Sequence, residues 1–315
     1  MSAILRRCRI LICVLSALLL FPVGAMGALA ATATPTASAP TDPNTTVAYS
    51  RNGKVSYETH TATAASSKSG GHSGHDPRGH AGASGPSPFD VIGNSWVQVT
   101  DTSYPPDPAT VYLNFGPNSN PVQCTGWMIR ANFVVTAGHC VYDVANRRWN
   151  APVTIAPGKN GSSNPFGTCG WTVMYTVTEF TNNGDRNYDY GGIKLDCNVG
   201  SSTGTFGLYW DTNDGDYNNK GTWMLSYPGD VKPDGQMWQS YGQISAVQTY
   251  RLFYSDDTSN GSSGAPAFDA RGPSDPWCRG SCVMAIHTTG NDVFPYNSGT
   301  RITQDVFNNL ESWGT

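Results

Sequence analysis

The chain has 315 residues, of which 13% are charged and 38% hydrophobic, with a formal net charge of −4 at neutral pH. From Asp90 onward, 12 Lys and Arg face 20 Asp and Glu, a formal charge of −8, which argues against nucleic acid as a partner. The length exceeds one average domain, yet the amino-terminal third holds too few large apolar residues to bury a core of its own.

Arg6, Arg7 and Arg9 precede an apolar stretch from Ile10 to Phe21, and Ala28-Leu29-Ala30 follows at the distance of a secretory cleavage site. This pattern predicts a signal peptide over 1–30, because the apolar stretch is shorter than the roughly 20 residues a spanning helix needs. Residues 31–90 turn to Ala, Thr, Ser, Gly and Pro and read as a low-complexity pro-region, disordered or loosely ordered. Its histidines, His60, His72, His75 and His80, suggest a metal-binding tract, but no cysteine or paired carboxylate completes a ligand set, and a soluble spacer is the simpler reading.

Residues 91–315 hold all six cysteines outside the signal peptide, and an even count in an exported chain reads as disulfides. Six cysteines allow 15 connectivities. Proximity favours Cys278 with Cys282 and Cys124 with Cys140, leaving Cys169 with Cys197. The segments at 110–113, 133–135, 171–177 and 283–286 are rich in β-branched or aromatic residues, and Gly, Asn, Pro and Asp punctuate the chain between them. Such short strands predict an all-β sandwich or barrel. The tail differs, because Ile302, Val306, Leu310 and Trp313 fall at helical spacing and predict one amphipathic carboxy-terminal helix.

Only two histidines, His139 and His287, occur after the pro-region. His139 closes Thr136-Ala137-Gly138-His139-Cys140, and Gly261-Ser262-Ser263-Gly264-Ala265-Pro266 comes far downstream. A serine hydroxyl is a poor nucleophile near pH 7 and needs an imidazole to take its proton and a carboxylate to orient that imidazole. Ser263 is the candidate nucleophile. The backbone N–H groups of Gly261 and Ser263 are the candidate oxyanion donors, each worth about 3 to 4 kcal/mol in the transition state. Alone, Gly-Ser-Ser-Gly reads as a flexible loop; the His139 segment changes the balance.

These runs, with Cys124 ahead of them, resemble the chymotrypsin-like serine endopeptidases. Asp189-Tyr190-Gly191-Gly192-Ile193, Ala285-Ile286-His287-Thr288-Thr289-Gly290 and Thr300-Arg301-Ile302-Thr303 resemble the bacterial glutamyl endopeptidases within that clan, relatives of the V8 protease. The resemblance spans 91–315. It implies two six-stranded antiparallel β-barrels, with His139 as general base, Asp189 as the orienting acid, and Asp185 and Asp196 as rivals. It further implies that His287 and Thr258 bind a substrate carboxylate, since a buried charge must meet donors. Asp257 argues the other way: six residues before Ser263, it matches the spacing of the trypsin-like pocket aspartate and favours Arg or Lys substrates.

The zymogen switch of trypsin-like enzymes needs an acid immediately before the nucleophile, and Ser262 stands there. The resemblance instead implies a mature chain beginning near Val91, whose freed amine approaches the specificity pocket. Only Glu179 and Glu311 are glutamates after Asp90, against 18 Asp, which suits an enzyme that cuts after Glu but also suits any turn-rich β protein. A sugar on Asn260 of the Asn260-Gly261-Ser262 sequon would sit at the active site, so that sequon reads as accidental. The expectation is a secreted, monomeric serine endopeptidase acting on protein or peptide substrates. No cofactor or metal is expected, no residue pattern indicates structural calcium, and no membrane association is expected after signal cleavage. A catalytically inactive protease-like binding module is the rival from another class.

Overall fold

In the computed structural model the described residues are 40–59, 95–230, 232–272, 275, 278–290 and 296–315. The predicted signal peptide, the pro-region histidines and Val91 lie outside them.

The first sheet runs, in spatial order, Val55–Glu58, Thr46–Ser50, Trp171–Val177, Gly191–Leu195, Phe133–Thr136, Gln123–Arg130, Thr110–Asn114, Thr154–Pro157. The last six make the amino-terminal barrel, and a bridge between Ile155 and Cys169 joins its free edge to the chain entering Trp171–Val177. The second barrel is a closed ring in the order Gly221–Ser226, Trp238–Val247, Arg251–Tyr254, Asn297–Arg301, Gly280–Thr289, Pro266–Arg271, returning to Gly221–Ser226. Closure removes exposed edges that would pair with other chains. Two short strands lie outside the ring: Gly207–Leu208 runs parallel to Gly280–Thr289, and Val97–Gln98 pairs with Trp238–Val247. Two six-stranded antiparallel barrels are therefore present, each with additional strands.

Inward residues alternate along each strand, as a half-buried pleat requires. Val111, Leu113, Met128, Val134 and Ile193 are completely buried in the first barrel, and Ile244, Leu252 and Met284 are buried in the second. Phe206 joins the two, with Trp127 on one side (centroids 5.8 Å apart) and Phe268 on the other (5.3 Å). The carboxy-terminal helix spans Gln304–Trp313, and its capping Thr303 side chain accepts from the Val306 N–H. It lays Val306, Leu310 and Trp313 into the core, while Glu311 pairs with Arg130. Glu179 sits in the short helix Thr178–Asn183, where its carboxylate accepts from Asn183 at 2.7 Å.

Residues 40–59 correct the expectation of a disordered pro-region. Thr46–Ser50 and Val55–Glu58 form an antiparallel hairpin, and the first strand adds to the Trp171–Val177 edge, with Thr46 opposite Val177 and Ser50 opposite Val173. The physical reason is local. Val47 and Tyr49 precede Asn52-Gly53, and Val55 and Tyr57 follow it, which is a hairpin signal submerged in the Ala/Thr/Ser background. Pro40–Thr315 forms one compact unit, so the fold extends well ahead of 91.

The three bridges are Cys124–Cys140, Cys169–Cys197 and Cys278–Cys282. They match the pairing that proximity favours.

Candidate active site

His139 lies in a single helical turn, Gly138–Val141, that follows the Phe133–Thr136 strand. The Cys124–Cys140 bridge fastens this turn to the neighbouring strand. Asp189 follows a short 3-10 turn, Arg186–Tyr188, just before Gly191–Leu195. Its two carboxylate oxygens divide the work: Oδ1 accepts from the His139 backbone N–H and Oδ2 meets His139 Nδ1, each at 2.8 Å. Asp189 is buried and His139 half-buried. Barrel two steadies this turn from behind, since the Thr300 hydroxyl donates to the Asp189 carbonyl at 3.0 Å and Arg251 donates to the Arg186 carbonyl at 2.6 Å. The rival acids are engaged elsewhere: Asp185 caps the 3-10 turn through the Asn187 N–H, and Asp196 accepts from the Gly170 N–H.

Ser263 comes from barrel two, in the turn before Pro266–Arg271. Its carbonyl accepts from the Thr125 N–H at 2.8 Å, and the next residue, Gly264, donates to the His287 carbonyl at 2.7 Å. Gly261 and Gly264 have φ of +99° and +85°. A Cβ on Gly264 would lie 2.2 Å from the Thr125 carbonyl and 2.2 Å from Thr136 Oγ1, so glycine alone lets the serine turn press against the histidine turn. Ser262 N–H donates to the Ser259 carbonyl, whereas the N–H groups of Gly261 and Ser263 have no protein acceptor among the described residues. Ser262 itself is buried, with its hydroxyl on Ser226 at 3.1 Å.

A cleft of about 630 Å³ contains His139, Ser263, Thr258, His287, Thr288 and Thr289 in its walls. Burial, reinforced by the charges of His139 and Arg251, pushes the His287 imidazole down to about 3. It is therefore neutral at working pH, and the Tyr254 hydroxyl holds Nδ1 at 2.9 Å. Burial also pushes His139 down, but the charge of Asp189 and its hydrogen bond outweigh that, and the net shift is upward from 6.5.

Asp257, the residue that favoured Arg or Lys substrates, is turned away from this space. It is buried, its carboxylate accepts from the Ser95 N–H at 2.8 Å and from the Ser95 hydroxyl, and it does not line the cleft. Tyr254 and Arg251 escaped the sequence reading, and Thr288 and Thr300 entered it only as members of family-like runs, without a role. A tyrosine or threonine on a strand carries no local sign of the residue it will meet 33 or 111 positions away.

Cys124, His139 and Cys140 form the one group of potential metal-ligand atoms close enough for a single ion among the described residues. Both sulfurs are committed to a disulfide, and the imidazole is committed to Asp189, so the trio does not offer a ligand set.

A cleft lined by a serine from one β-barrel and a histidine from the other is what a chymotrypsin-fold serine endopeptidase presents. A family model described as Trypsin matches residues 97–292, and the chain belongs to that family. It is 40% identical over 229 residues to a glutamyl endopeptidase of Bacillus licheniformis, covering 71% of this chain and 68% of the relative. It is 41% identical over 229 residues to a Bacillus subtilis protein named an extracellular metalloprotease, covering 72% of this chain and 70% of that relative. Among solved structures, a Glu endopeptidase in complex with MPD aligns with a TM-score of 0.63 at 27% identity, over 71% of this chain and 99% of the other. A thermostable serine protease, AL20, aligns with a TM-score of 0.52 at 18% identity, over 66% of this chain and 97% of the other, a likeness of fold alone.

Proposed function

We propose that this serine endopeptidase is a secreted glutamyl endopeptidase that matures by cleavage near Val91 and works through Ser263, His139 and Asp189. Ser263 Oγ attacks the scissile carbonyl while His139 Nε2 takes its proton. Asp189 fixes the tautomer and stabilises the imidazolium, and the N–H groups of Gly261 and Ser263 receive the oxyanion. His139 then hands the proton to the leaving amine, and water resolves the acyl-enzyme by the same steps in reverse.

The observation that carries glutamate specificity is the company Ser263 keeps. Thr258 and His287 line its cleft, and Asp257 does not. A neutral His287 serves the substrate carboxylate as a hydrogen-bond donor. When the Tyr254 hydroxyl donates to Nδ1, the imidazole proton is on Nε2, the tautomer this role requires. The freed amine of Val91 supplies the positive charge. The names of the Bacillus licheniformis relative and of the aligned Glu endopeptidase support the same substrate class.

The test compares cleavage of otherwise identical peptides carrying Glu, Gln or Arg before the scissile bond, with Ser263→Ala alongside. Cleavage after Glu that vanishes in the variant is expected. Cleavage after Arg would overturn the specificity, and a wild-type enzyme that neither cleaves nor takes a fluorophosphonate on Ser263 would favour the binding module. Amino-terminal sequencing of the secreted active form is expected to begin within Asp90-Val91-Ile92-Gly93; a start far from this window would overturn the maturation scheme.

A further inference from the structure

The hairpin at 46–58 is attached to the protease barrel far more firmly than a spacer requires. Thr45, Thr46, Val47 and Ala48 are buried, although they precede the expected mature start by more than forty residues. Beyond the five-residue ladder, Thr178 N–H donates to the Thr45 carbonyl at 2.9 Å and the Thr178 hydroxyl to the Asp42 carbonyl at 2.7 Å. The Trp313 indole N–H donates to Thr46 Oγ1 at 2.8 Å. One Asn309 amide group divides its two hydrogens between the Asn44 carbonyl (3.0 Å) and the Tyr190 hydroxyl (2.7 Å), next to Asp189. Tyr49 stacks on Trp149, with centroids 5.3 Å apart and planes within 10°, and lies 6.1 Å from Trp171. Among the described residues the second strand of the hairpin pairs only with the first, and its Val55 and Tyr57 are 44% and 53% exposed. The docking face is therefore the Thr46–Ser50 strand.

Removing that strand would leave the Trp171–Val177 edge unpaired and strip acceptors from Thr178, Asn309 and Trp313, which are buried in its presence. The partner that fits this surface is an extended segment with small or β-branched residues facing in and an aromatic ring at one end, and this chain carries it. We propose that residues 42–58 are a separable subunit: once the chain is cut between residues 59 and 94, as maturation near Val91 demands, the hairpin stays bound to the protease domain as a non-covalent strand pair. The inference rests on the maturation reading but not on substrate preference, so its test is run on the inactive chain.

Full-length Ser263→Ala protein is treated briefly with an unrelated protease, passed over a gel-filtration column, and its fractions are analysed by mass under denaturing conditions. The expected result is a fragment containing residues 42–58 and ending before Ser95 that co-elutes with the domain beginning near Ser95 and separates from it in guanidinium. Tyr49→Ala, which removes two ring contacts but none of the ladder, is expected to raise the dissociation constant about tenfold or more. A fragment that leaves the wild-type domain on the native column would overturn the proposal, as would a chain that resists cutting between 59 and 94. Retention unchanged by Tyr49→Ala would overturn the assignment of the docking face.

Discussion

Replacing Asp189 with Asn changes one atom and should nearly abolish turnover. The carboxylate meets two groups, the His139 backbone N–H at Oδ1 and His139 Nδ1 at Oδ2, both at 2.8 Å. An amide has one oxygen and one NH₂. The backbone N–H is an obligatory donor, so the amide oxygen must face it, and leaving that donor unpaired would cost about 1–3 kcal/mol. The NH₂ then faces Nδ1, which can receive it only without a proton. Tautomerism puts the imidazole proton on Nε2, where a base for Ser263 is needed, and the loss in kcat should approach the roughly 10⁴-fold seen when this interaction is reversed in serine proteases. Steady-state kinetics on a glutamyl peptide, with circular dichroism to check folding, measure it. The charge that raises His139 is lost as well, so the acidic limb of kcat/KM should move to lower pH, because activity requires the neutral base and rises with pH through its pKa. A folded Asn variant within tenfold of wild type would refute the assignment of Asp189.

Asp256 is completely buried, and burial pushes it up to about 7 despite a hydrogen bond from Thr222. A folded value above the unfolded one means that native stability falls as pH rises from about 4 to 7, so Asp256→Asn is expected to stabilise the protein at pH 8 by at most about 4 kcal/mol and to have little effect below pH 4. Urea unfolding at both pH values measures this, and equal effects at both would count against it. Gly264→Ala adds a carbon 2.2 Å from two oxygen atoms at a positive φ, and left-handed strain with overpacking totals about 2–5 kcal/mol, read as a fall of at least about 5 °C in Tm together with loss of activity. Wild-type melting would show that the serine turn has room to spare. Replacing Cys124 and Cys140 together by Ser opens a loop across 16 positions and should cost about 3 kcal/mol in urea unfolding, with a fall in kcat because Cys140 adjoins His139. An unchanged kcat would mean that the strand ladder alone holds the histidine turn.

Much of this architecture was legible in local patterns. The four strand segments lie where β-branched runs placed them, and the carboxy-terminal helix follows from the spacing of Val306, Leu310 and Trp313. His139 and Ser263 stand out in the sequence because of the residues beside them, Cys140 within the pinned histidine turn and Gly264 in the tight turn, whereas Asp189 stands out only through the family resemblance of its run. What stayed hidden was either non-local or diluted. Tyr254 meets His287 only because the barrel closes, and spacing along the chain does not say which way the Asp257 carboxylate turns. The hairpin at 46–58 was missed because composition averaged over sixty residues concealed nine that alternate properly.

The two glutamates of the catalytic region have a fate of their own. Glu179 and Glu311 both lie in helices, one tied to Asn183 and the other to Arg130. A helical segment cannot enter a cleft that reads extended chain, so for an enzyme that cuts after glutamate, folding conceals the two sites at which one copy would destroy another. The protection lasts only as long as the fold does. On the proposed specificity, a molecule that loses its structure would expose both bonds to intact copies, so damaged molecules would be cut while sound ones are spared.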